Sequence, residues 1–311
     1  MQSRAFVPAA GAAAAAVLLL TQAETAAQAV REGISLCLTS VVPSLFPFFA
    51  LSSLLTDRAA AQVAERVLGG VFRRLFRCGG AGSAAFLLGC VGGYPVGART
   101  AAALVHQGSL SPDEGEHLLT FCNNAGPAFT VGVAGLAVFH SPAVGAYLYL
   151  LHITSALLTG LLLCPAGAGA VTRRPPPSPA PPEKPFPLRF LQAVEDAASA
   201  MGRVCAFVVF FLVLLRLLEH YTGTWGAAAG VVELTNGILR LSPGRRGFVL
   251  ASSLLGWGGL SVHCQTAAVT AGSGMRLGGT SPPRWCRASS PHCSPSLPPL
   301  SSCDTPAVPP A

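Results

Sequence analysis

The stretch Phe86–Phe139, FLLGCVGGYPVGARTAAALVHQGSLSPDEGEHLLTFCNNAGPAFTVGVAGLAVF, restricts what this chain can fold into more than any other. It holds two apolar segments, each interrupted in its middle. The first interruption is Gly92-Gly93-Tyr94-Pro95-Val96-Gly97, followed by Arg99. The second is Asn123-Asn124-Ala125-Gly126-Pro127. In hydrocarbon an unsatisfied backbone polar group is costly, so irregular backbone survives there only where protein or a wet cavity covers it. Gly and Pro supply the interruption, and the freed amides and carbonyls become available to a ligand. Two such interruptions joined by a short polar turn are the sequence form of a binding site at membrane depth.

Composition supports the membrane setting. Hydrophobic residues make up 51% of the chain and charged residues 11%, against roughly 25% charged in soluble domains. The net charge of +7 comes from Arg residues in short loops beside apolar spans, where basic side chains set orientation and meet anionic lipid. No basic stripe with stacking aromatics points to nucleic acid. The ten Cys form no CxxC pair. Cys37, Cys90, Cys122, Cys164, Cys205 and Cys264 read as small buried hydrophobes rather than as metal ligands or disulfides.

Taken in order, Ala5–Leu20 is either a retained first helix or a cleaved signal peptide with Ala-x-Ala options at residues 23–29. Ala29–Leu55 is a span kinked by Pro43 and Pro47. Thr56–Arg77 is amphipathic and carries five Arg against Asp57 and Glu65. It reads as a helix in the headgroup plane on the cytoplasmic side. Ser111-Pro112-Asp113-Glu114 reads as a helix start with a capping box. A helix then runs from Ser141-Pro142 to Cys164. The second half offers a long span at Phe190–Leu218, a shorter one at Trp225–Leu241 and an interrupted one at Phe248–Gly274.

These readings divide the chain into an N-terminal membrane helix or signal-anchor (1–28), a first membrane half (29–170), a Pro-rich linker (171–189), a second membrane half (190–274) and a tail (275–311). The tail is rich in Pro, Ser, Cys and Arg and has no periodicity, as expected of a disordered, frameshifted or truncated end. Its Cys286, His292, Cys293 and Cys303 lack the regular spacing of a metal cluster. The fold class expected is all-α: a polytopic membrane helix bundle with interrupted or re-entrant helices and an internal two-fold repeat. The repeat rests on Gly92-Gly93-x-x-Val96-x-x-x-Thr100-Ala101-Ala102 matching Gly258-Gly259-x-x-Val262-x-x-x-Thr266-Ala267-Ala268. The bias of basic loops to one side favours Gly82–Val105 as re-entrant.

Three motifs occur in order: GGYPVGA (Gly92–Ala98), FCNNAGPAF (Phe121–Phe129) and LGWGGLSVHCQ (Leu255–Gln265). Together they resemble the sporulation integral membrane protein YlbJ family, which carries the nucleoside-recognition, or Gate, domain. The resemblance spans roughly residues 29–274. It implies a multi-pass protein in the plasma membrane of endospore-forming bacteria, with a transport- or gate-like role in making the spore. It also implies a last apolar segment after Gly274, which the tail lacks.

Candidate site residues follow from the interruptions. Gly93, Tyr94, Pro95 and Arg99 belong to the first, as a pore or site lining or as a tight turn with an interfacial Arg. Asn123 and Asn124 offer amides at membrane depth, for a solute or for helix–helix hydrogen bonds. Glu233 and Asn236 lie inside a short apolar span, where an acid is a functional hypothesis by default, as a proton or cation site; in an interfacial segment Glu233 would merely be solvated. His263 and Gln265 fall opposite Gly97 and Arg99 in the repeat and complete the polar lining. The function expected is a transporter or gated channel for a small polar solute, nucleoside-like in chemistry, with the lipid bilayer as its setting. A second copy or other sporulation membrane proteins are further expected partners. A non-transporting scaffold for spore envelope or cortex assembly is the alternative. No GxSxG, HExxH or P-loop is present, so no enzyme, cofactor or metal is expected.

Overall fold

The computed structural model describes Ala13 and residues 15–55, 58–164 and 185–276. Residues 165–184, with most of the Pro-rich linker, nearly all of the tail and the first residues of the chain lie outside these; the last linker residues, from Phe186, already belong to a helix. The described residues are helical, with no strand among them, and all belong to the unit Met1–Leu277.

Helix α1 (Ala23–Leu36) passes through a π-helical turn, π1 (Cys37–Val41), into α2 (Val42–Leu55), which contains Pro47. The pair Ala23–Val41 and Leu45–Leu51 is bent by 59°, consistent with a proline that removes a ladder donor. Helix α3 (Arg58–Leu75) is the amphipathic segment. Phe72 and, just after it, Phe76 are buried, whereas Val63, Val67, Val71 and Leu75 form an exposed line.

Two 11-residue helices follow, α4 (Gly82–Gly92) and α5 (Val96–His106). Gly89 and Gly97, equally far from Gly93 in sequence, lie back to back: a Cβ on Gly89 would come within 3.0 Å of the Gly97 Cα. The two helices therefore fold as a hairpin, the shape a re-entrant segment needs. Helix α6 (Pro112–Cys122) starts with the expected capping box, the Ser111 hydroxyl accepting from Glu114 N and the Glu114 carboxylate accepting from Ser111 N. A π-helix, π2 (Ala128–Val138), precedes α7 (Pro142–Leu162).

In the second half, α8 (Phe186–Thr222) packs against α1 and α2. Trp225–Leu241 is not one continuous helix. A 3-10 turn leads into α9 (Ala229–Val232), a break at Glu233, and α10 (Leu234–Leu239). Helices α11 (Arg245–Trp257) and α12 (Gly259–Thr270) meet at Gly258 and run on as one 26-residue span. The matched Gly-Gly pairs thus interrupt helices at both places, folding a hairpin in one and a near-continuous span in the other.

Three helices among the described residues are long and apolar enough to cross a membrane: Pro142–Leu162, Phe186–Thr222 and Arg245–Thr270. The bent pair α1–α2 makes a fourth if counted as one span. One half-buried ionic cluster fastens the second half to the first. The Arg216 guanidinium donates to Glu32 over 2.7 Å and to Glu219 over 3.1 Å. Arg240, one residue beyond α10, also pairs with Glu219.

Candidate functional site

Four helix breaks converge in the interior: Gly93–Pro95 between α4 and α5, Asn123–Pro127 between α6 and π2, Glu233 between α9 and α10, and Gly258 between α11 and α12. Each break strands a carbonyl whose donor would have been four residues on. The chain supplies a side-chain donor for each. Tyr149 of α7 donates to the Cys90 carbonyl over 3.0 Å, and Asn124 Nδ2 donates to the Phe121 carbonyl over 2.9 Å. Trp257 Nε1 donates to the Val231 carbonyl over 3.0 Å, and the Tyr94 hydroxyl donates to the Leu255 carbonyl over 2.9 Å. The freed N–H groups are served too. Ala125 N donates to His152 Nε2 over 3.1 Å. The Glu233 carboxylate accepts from Thr235 N (3.1 Å), Asn236 N (2.7 Å) and Asn236 Nδ2 (2.7 Å). This pairing is the condition for broken helices to exist in a low-dielectric interior.

The breaks touch one another through glycine. At Gly93 φ is +74°, a conformation that L side chains rarely adopt, and a Cβ there would stand 3.0 Å from Gly126 N. The first and second breaks therefore meet backbone to backbone.

A small cavity opens where the breaks approach one another, with about 50 Å³ of interior space. Its apolar wall includes Phe49, Phe129 and Val204. Its polar wall is Glu233, Thr235, Ser261 and Gln265. Glu233 is the one charged residue lining it and is only 2% exposed. The Ser261 hydroxyl, 1% exposed, has no hydrogen-bond partner among the described residues.

The sequence-derived candidates divide into two groups. Gly93, Tyr94, Glu233 and Gln265 line the cavity. Asn236 stands behind Glu233 and holds its carboxylate. Pro95 follows Tyr94 through a cis peptide bond. The others face elsewhere. Asn124 is buried and its amide is engaged by the Phe121 carbonyl. Asn123 Nδ2 donates to Thr266 Oγ1 over 2.8 Å, joining α6 to α12. Arg99 is half exposed and stands 3.9 Å from Asp196. His263 is exposed and meets Trp257 edge-on at 4.8 Å. Sequence reasoning passed over Ser261, Thr235 and the aromatic donors Tyr149 and Trp257. For Ser261 the signal was a hydroxyl two residues after a Gly-Gly break.

Residues 38–171 match the Gate family, described as nucleoside recognition. The chain is 25% identical to the sporulation integral membrane protein YlbJ of Bacillus subtilis (strain 168). That alignment covers 83% of this chain and 74% of YlbJ. No solved structure matches the chain. The Gate match contains the first two breaks. Glu233, Ser261 and Gln265 lie beyond it, so the cavity is shared between the Gate-matching region and the second half of the chain. The chain is an integral membrane protein, and three of its described helices are long and apolar enough to cross a membrane.

Proposed function

We propose that this protein moves or gates a small polar solute across a bacterial plasma membrane during endospore formation, through the cavity where the helix breaks approach one another. The observation that carries the reading is the wall of that cavity: a buried, unpaired acid, a partnerless hydroxyl and an amide, opposite apolar side chains. An intramembrane acid facing a cavity marks a solute or ion path, and interrupted helices place such sites near the middle of transporters. The printed name of YlbJ supplies the sporulation setting and the description of the Gate family supplies nucleosides as the first solutes to try. No catalytic motif competes with this reading, and we assign the protein no enzymatic step.

Purified protein in proteoliposomes, offered a panel of nucleosides, amino acids and small organic ions, tests the proposal. Uptake of one class, lost in Gln265→Leu at unchanged protein level, is expected. Absence of uptake across the panel, with full spore resistance for Gln265→Leu and Ser261→Ala, would instead favour a scaffold.

A further inference from the structure

We propose that Glu233, Ser261 and Gln265 form a binding site for an alkali-metal cation. The inference deepens the transport reading by naming the ion that accompanies the solute. It starts from an imbalance of charge. Glu233 lines the cavity at 2% exposure and forms no ion pair with a described Arg, Lys or His. Its hydrogen bonds are accepted from its own short helix: two from backbone N–H, one from the Asn236 amide and one from the Thr235 side chain. These bonds orient the carboxylate without neutralising it. By contrast, Glu219 of the same half is met by both Arg216 and Arg240. A buried carboxyl either takes up a proton or meets a counter-charge, and no described Arg, Lys or His supplies one.

The donor set defines the ion. Glu233 brings its carboxylate to the cavity wall. Ser261 Oγ has no partner at all, and Gln265 adds an amide oxygen to the same cavity. These are hard oxygen ligands with one negative charge in total. Oxygen ligands suit alkali and alkaline-earth ions rather than zinc or copper. A single carboxylate suits a monovalent ion better than calcium, whose sites gather several. Among the described residues no cluster of three His, Cys, Asp or Glu offers a transition-metal alternative. The helices that carry the donors are held close together. A Cβ on Gly259 would lie 3.0 Å from Leu234 N and 3.2 Å from the Gly230 carbonyl, so the start of α12 presses on the Glu233 break. Ser261 and Gln265 project from that same helix.

The test needs no solute, so it can fail or succeed independently of transport. The full chain in detergent is melted at fixed pH and ionic strength while NaCl, KCl or LiCl replaces choline chloride. A saturable rise in the melting midpoint with at least one alkali ion is expected. Ser261→Ala should weaken the apparent affinity about tenfold, one ligand's share, and Glu233→Gln should abolish the response. If Glu233→Gln does not fold, Ser261→Ala decides alone. A wild-type midpoint indifferent to all three ions, including one that responds only to pH, would overturn the proposal. So would an unchanged cation response in Ser261→Ala. Cation binding without any solute flux would leave this site standing and remove the transport reading.

Discussion

The Tyr94 hydroxyl donates a 2.9 Å hydrogen bond to the Leu255 carbonyl. Tyr94 sits in the first helix break, and Leu255 is in the last turn before the fourth. One phenol thus joins the Gate-matching region to the second half across the cavity that both line. Removing it leaves a buried acceptor with nothing to bond.

Tyr94→Phe should lower stability by about 1–3 kcal/mol, the penalty for an unsatisfied buried polar group. Tyr149→Phe, which strands the Cys90 carbonyl in the same way, should cost a similar amount. Thermal unfolding in detergent measures both. An unchanged midpoint for both variants would mean these bonds do not hold the breaks.

Gly89 and Gly97 converge on one atom. A Cβ on either would collide with the Cys122 carbonyl oxygen, which belongs to backbone and has no side-chain freedom to yield. Gly89→Ala and Gly97→Ala should therefore reduce folded protein sharply. Gly70→Ala is the control: it lies in helix α3 with nothing within 4 Å of a new Cβ. It should be neutral or stabilise by about 0.5–1 kcal/mol. Fluorescence-detected size exclusion of tagged protein ranks the three.

Asn124→Leu and Arg99→Ala should separate stability from function. Asn124 is 2% exposed and satisfies the Phe121 carbonyl, so its replacement should lower the melting midpoint. Arg99 is half exposed, with a 3.9 Å partner. Such pairs contribute about 0–1 kcal/mol, so Arg99→Ala should leave both stability and solute uptake near wild type. Loss of uptake by Arg99→Ala at normal stability would place Arg99 back in the site.

Glu219→Gln should destabilise by up to about 3 kcal/mol, because it leaves Arg216 and Arg240 facing each other without their shared carboxylate. The loss should shrink in high salt, since Arg216 is about one-third exposed and screened there. Melting midpoints at low and high NaCl for wild type and variant check this, and equal losses at both would point to packing instead.

Much of the architecture could be read from residue order. The breaks at Gly92–Gly97 and Asn123–Pro127 were visible because Gly and Pro cannot continue an apolar helix unnoticed. The capping box at Ser111 and Glu114 was visible because its chemistry is local. The break at Glu233 was harder. Its residues ELTN look like a polar interruption of one span, and only the fold reveals the carboxylate capping a separate helix. Which polar groups face the cavity was not legible. Asn124 and Arg99 are near a break in sequence, but rotation about their helices sends one to a carbonyl and the other outward. Tyr149 and Trp257 read as ordinary apolar-helix aromatics, since their acceptors lie far away in the chain.

The hairpin of α4 and α5 bears on how this chain enters the bilayer. At 1.5 Å per residue each 11-residue helix is about 16 Å long, roughly half the thickness of the hydrocarbon layer. Neither can be released into lipid alone without exposing an end. The pair, together with the Asn123–Pro127 segment that covers its tip, has to leave the insertion machinery as one unit. Biogenesis must therefore hold back the 45 residues from Gly82 until Gly126 has been made. A ribosome stalled before that point would present an unfinished membrane segment for degradation.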